Sequence, residues 1–110
     1  MGLAANQARL LGLIARKSDL ELEAQFISQH RMYLSNMMSG LLNLQTKLEP
    51  DTAPYKLFEA RIGALQQADK MLEMQLNRIN TQREAVGKEM DSVQKIIAKN
   101  IQGSFGLLGR

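Results

Sequence analysis

Counting alternately by four and three from Phe58 lands on Phe58, Ile62, Leu65, Asp69, Leu72, Leu76, Ile79, Arg83, Val86, Met90, Val93 and Ile97, a stripe interrupted only by two charged residues. A repeat averaging three and a half residues keeps one face of an α-helix dry. Held over this many turns, it predicts a long helix that packs against other helices. A second stripe precedes it: Leu20, Ala24, Ile27, Arg31, Leu34, Met38, Leu41, Gln45 and Leu48, with Lys17, Leu13, Leu10, Asn6 and Leu3 in the same register toward the start. Between the two lies Glu49-Pro50-Asp51-Thr52-Ala53-Pro54. Pro50 and Pro54 lack the backbone N–H that a continuing helix needs, so the chain is expected to turn there.

The predicted fold is therefore all-α, with two long helices forming an antiparallel coiled-coil hairpin that self-assembles. A single domain covers residues 1–110: helix 3–48, turn 49–54, helix 55–101 and an apolar Gly-rich tail 102–110. Each helix would span roughly 70 Å at about 1.5 Å per residue, so the hairpin is expected to be nearly all surface. Folding back at the prolines sets side by side residues whose numbers add to roughly 104 to 106, the pairing of an antiparallel coiled coil. That register puts Arg31 near Glu73, and Arg83 near Glu21 and Glu23. Seam charges without partners are costly, so the complementarity supports the antiparallel arrangement.

The first helix carries more apolar surface than one seam requires. Leu22, Phe26, Tyr33, Met37 and Leu44 fall outside the heptad stripe and would remain wet in an isolated hairpin. Such a surface predicts oligomerisation or a partner. Two structural alternatives go with it: Gly12 and Gly40 could let the helix bend and cover itself, and Gly40, Gly63 and Gly87 could let a neighbouring backbone approach. Seven methionines adapt to irregular surroundings and suit either a core or a protein-binding surface. The ending Ile-Gln-Gly-Ser-Phe-Gly-Leu-Leu-Gly-Arg sets Phe105, Leu107 and Leu108 among glycines, and the hairpin brings it beside Leu3, Leu10 and Leu13. One extremity is then sticky and the other more polar, and unlike ends favour repeated heterologous contacts that build a helical filament.

Other functions find little support. Fourteen bases and eleven acids are interspersed, giving a net charge of +3 without a basic face for nucleic acid. There is no cysteine for a disulfide or a thiolate nucleophile. No apolar run reaches the roughly 20 residues that cross a bilayer. Residues 3 to 17 are basic and amphipathic, so contact with a membrane surface is the minor alternative. Asn6, Gln7 and Arg9 interrupt what would be the apolar core of a cleaved signal peptide, so export without one is expected, with a cytoplasmic location as the alternative. His30 is the sole histidine and lacks companions for a metal site. Glu84, Glu89 and Asp91 lie near Lys88 and Lys95, where helical ion pairing accounts for them. No catalytic residue, cofactor or metal is expected.

Leu76-Asn77-Arg78, Gln82, Val86, Lys88, Asp91, Ile96-Ile97 and Asn100-Ile101, together with the turn Pro50-Asp51-Thr52-Ala53-Pro54, resemble the C-terminal helix and turn of needle-filament subunits of bacterial type III secretion systems. The resemblance covers about 25 residues plus the turn, a span that other amphipathic helices share. It implies a helical hairpin that polymerises through both termini into a hollow tube, with Val86, Ile96, Ile97 and Ile101 as polymerisation contacts and Gln82, Lys88 and Asn100 as inter-subunit or lumen-facing positions. The Phe-Gly-Leu-Leu-Gly-Arg ending departs from that family's helical terminus, which leaves an inner-rod protein, an unrelated secreted filament or a different coiled-coil assembly as alternatives. The expected assembly interface comprises Leu3, Leu10, Leu13, Phe26, Tyr33 and Met37 from the first helix, and Val86, Ile97, Ile101, Phe105, Leu107 and Leu108 from the second. Its expected occupants are further copies of the chain, with secretion-system proteins as possible companions. The alternative function is a coiled-coil adaptor or chaperone-like protein that covers a partner's helix.

Overall fold

A computed structural model describes the backbone of residues 2–108 and the side chains of residues 2–104. It contains two helices, α1 (Leu3–Gln45) and α2 (Ala53–Leu108), so the fold is all-α with the two helices antiparallel. The chain divides into two compact units. Unit 2, Ala24–Arg78, holds the turn and the two helical segments that leave it. Unit 1 pairs Met1–Glu23 with Ile79–Arg110.

The turn is built by short-range bonds. At the end of α1 the backbone tightens, with the Lys47 N–H donating to Leu44 O and the Leu48 N–H to Gln45 O. This winding ends the regular helix at Gln45, three residues before the expected 48. Asp51 takes a left-handed conformation (φ 64°), which a short polar side chain tolerates better than a branched one. Thr52 caps α2: its Oγ1 donates to Glu49 O at 2.7 Å and accepts the Tyr55 N–H at 3.4 Å. Pro54 lies in the first turn of α2, where its missing N–H leaves no helical bond unmade, so the helix starts at Ala53 and includes the proline.

Both seams follow the heptad stripes. Every stripe position from Leu3 to Leu48 and from Phe58 to Ile97 is buried or half-buried. In unit 2 the driest are Ala24, Leu34 and Ile62; in unit 1 they are Leu20, Ile79, Val86 and Val93, the last 0% exposed. Each such aliphatic side chain larger than alanine contributes about 1.5–3 kcal/mol when fully removed from water.

At its far end α2 continues to Leu108 instead of stopping at 101. The residues set apart as a tail are thus helical in backbone through Leu108. A glycine inside a helix costs only about 1 kcal/mol relative to alanine, too little to end a helix already propagating.

Candidate assembly surface

In unit 2 the seam carries a charge pair. The Arg31 Nε donates to Asp69 Oδ1 at 2.9 Å and its Nη2 to Oδ2 at 3.3 Å, a two-point grip, with Glu73 Oε2 4.0 Å from the same Nη2. The expected Arg31–Glu73 proximity is present, but Asp69 is the closer partner. Two charges that look like flaws in separate stripes satisfy each other, a signal readable from their opposite signs.

The hydrogen bonds from Arg31, with its positive charge, hold the Asp69 carboxyl below its ordinary value, against a smaller opposing effect of burial. The sign follows directly. A lowered folded-state value stabilises the fold at pH above the unfolded carboxylate value of about 4, and this contribution disappears as pH falls through the lowered value. Acid melts between pH 5 and pH 2 should therefore show a smaller loss of thermal midpoint for Asp69→Asn than for the parent chain. Equal losses would mean that the pair contributes nothing.

In unit 1 the Arg83–Glu21 pair also appears as expected, at 3.8 Å, while Glu23 takes no part in it. Arg9–Glu89, at 3.2 Å, is an exposed pair that sequence reasoning did not anticipate. Asn6 is 1% exposed, and among the described residues neither its Nδ2 nor its Oδ1 has a hydrogen-bond partner; the Nδ2 of Asn100 is likewise buried and unpartnered among them. A polar residue on a heptad stripe is visible in the sequence, but its lack of a partner is not.

The expected interface residues separate into distinct groups. Leu3, Leu10 and Leu13 are half-buried in the seam of unit 1, and so is Ile97. Val86 is buried there, which removes it from the surface offered to another molecule. Its place on the stripe already implied this, because a residue facing the return helix cannot also face outward. Ile96 and Ile101 are exposed, as is Lys88, while Gln82 is half-buried. Pro50 and Pro54 are exposed at the turn. The side chains of Phe105, Leu107 and Leu108 lie outside the described residues.

Phe26, Tyr33 and Met37 are open to solvent, the two aromatics at 60% and 61%, and Leu44 joins them. These four recur at intervals of seven, four and seven on α1, so they form one line along the helix, about a third of a turn from the seam. Beside the line, Met37, Gly40, Leu41 and Leu44 of α1 and Arg61, Ala64 and Leu65 of α2 bound an apolar groove of about 500 Å³. A Cβ built on Gly40 would meet nothing within 4 Å, and the same holds for Gly12, Gly63 and Gly87. No close approach inside the described chain requires these glycines, and α1 passes through Gly12 and Gly40 without a break. At Gly40 the helix therefore bears the cost of about 1 kcal/mol with no gain in its own packing.

Unit 1 also leaves Leu11, Ile14 and Leu22 exposed. Among the described residues no group of three or more His, Cys, Asp or Glu could hold a metal ion, and no helix is long and apolar enough to cross a membrane.

A two-helix antiparallel hairpin with wet apolar lines outside its seams has the form of a structural or scaffolding element. No family model, no curated protein and no solved structure matches this chain.

Proposed function

We propose that this chain is a structural subunit that self-assembles into a helical filament or tube, of the kind a bacterial secretion apparatus exports without a cleaved signal peptide. The observation that supports this most is the line of Phe26, Tyr33, Met37 and Leu44, solvent-exposed although the seams already use the heptad faces of both helices. Aromatic and methionine side chains with few charges among them match the composition of protein interfaces. The resemblance of residues 76–101 and the proline turn to needle subunits gives the reading its particular form.

The groove beside Gly40 favours a second reading, an adaptor or chaperone-like hairpin that takes up a partner's apolar helix. Negative-stain microscopy and light scattering of the purified full chain separate the two. Filaments that lengthen with concentration are expected; a chain that stays monodisperse and monomeric at millimolar concentration overturns the assembly reading, and a stable one-to-one complex with another protein in its place establishes the adaptor.

A further inference from the structure

We infer that two copies of this chain pack α1 against α1 in antiparallel fashion, through the face that carries Phe26, Tyr33, Met37 and Leu44. This deepens the self-assembly reading and rests on it: the two-fold pair would be the building block.

The argument begins with spacing. Phe26, His30, Tyr33, Met37, Gly40 and Leu44 follow one another at steps of four, three, four, three and four, a second heptad seam on the outside of α1. That series reads the same in both directions. Laid antiparallel on a copy of itself, it matches Phe26 with Leu44, Tyr33 with Met37 and His30 with Gly40, so one patch serves both partners, as a two-fold contact demands. A large side chain would then always meet another apolar one, and the imidazole would meet the position that has no side chain.

Charge points the same way. Between Ala24 and Thr46 the only Lys, Arg, Asp or Glu is Arg31, which Asp69 already holds. On α1 itself, this face therefore sets no like charge against its copy, and Arg61 of α2 stands at the border of the groove beside it. The next positions of the series outward are Glu23 and Lys47, both exposed, and the antiparallel register sets Glu23 of each copy against Lys47 of the other. A parallel pairing would set Glu23 on Glu23 and Lys47 on Lys47.

Gly40 supplies a separate reason. A Cβ there would touch nothing in the described chain, yet the residue leaves a gap between the apolar Met37 and Leu44. A missing side chain flanked by Met37 and Leu44 is a notch that lets the second helix come close.

The four large side chains present on the order of 400 Å² per copy, about half of what each partner contributes to a standard stable interface. The contact is accordingly modest, and pairing should depend on concentration.

Sedimentation velocity of the full chain across a concentration series tests this, with circular dichroism confirming retained helix in every variant. The parent should shift from monomer toward dimer and larger species, and Tyr33→Glu should lose the dimer. Glu23→Lys and Lys47→Glu should each weaken pairing about tenfold, and the double reversal should restore it to within about threefold of the parent. A parent that associates together with a Tyr33→Glu variant that associates equally well overturns this face while leaving self-assembly in place. Failure of the double reversal to recover what the single changes lose overturns the antiparallel register. A parent that remains monomeric at every concentration overturns both, and tight binding of an added amphipathic helical peptide by that monomer would give the face to a different partner.

Discussion

Replacing Val93 with Asp should lower the stability of the chain by about 3–5 kcal/mol, the cost of burying a carboxylate in a position wholly removed from water. At roughly 4 °C per kcal/mol for a chain of this size, the thermal midpoint should fall by about 12–20 °C in dilute solution. Val93 is completely enclosed, in the same unit as Leu20 and Val86, so the substitution strikes the seam of unit 1 directly. Hydrogen exchange gives the sharper reading. Amides of residues 79–100 should lose protection, while those of unit 2 near Leu34 and Ile62 lose much less. An unchanged midpoint would show that the two segments of unit 1 are not held together through this residue.

The opposite sign is expected for Asn6→Leu. Asn6 is enclosed with both ends of its amide unpaired among the described residues, so exchanging it for an apolar side chain of similar size should stabilise the chain by about 1–3 kcal/mol and raise the midpoint by about 4–12 °C. A polar residue on a coiled-coil stripe can also select one register and one oligomeric state at the expense of stability. The more stable variant should therefore be less uniform, with a broader distribution of species in sedimentation. A variant less stable than the parent would mean that the Asn6 amide has a partner in solution.

These two positions show what could be read in advance. The heptad period marks the inward face from residue types alone, and so the stripes from Leu3 to Leu48 and from Phe58 to Ile97, the turn and the Arg31–Glu73 and Arg83–Glu21 proximities were all legible. Which polar atoms lack partners depends on rotamers and on what lies opposite, and a one-dimensional pattern holds neither. Val86 was assigned to the assembly interface by resemblance although its own stripe placed it in the seam, where it is buried; Ile97, on the same stripe, is half-buried. The helix ends were displaced for a local reason: capping by Thr52 and tight winding after Leu44 set the turn, and near the far end Gly103 proved compatible with helix. Gly40 was legible as a place for a bend or for a neighbouring backbone, and choosing between them needed the unbroken helix and the open space beside it, which are properties of the folded chain.

The short connection between the helices also sets an order of events. Joining Gln45 to Tyr55 closes a loop of 10 residues, whereas Arg9 and Glu89 are separated by 80, three doublings that add about 2 kcal/mol of chain entropy. Zipping is therefore expected to start at the prolines and run outward, with the segments around Arg9 and Glu89 pairing late. Under the self-assembly reading proposed above, this last stretch of pairing is where contact with a growing polymer would speed maturation most.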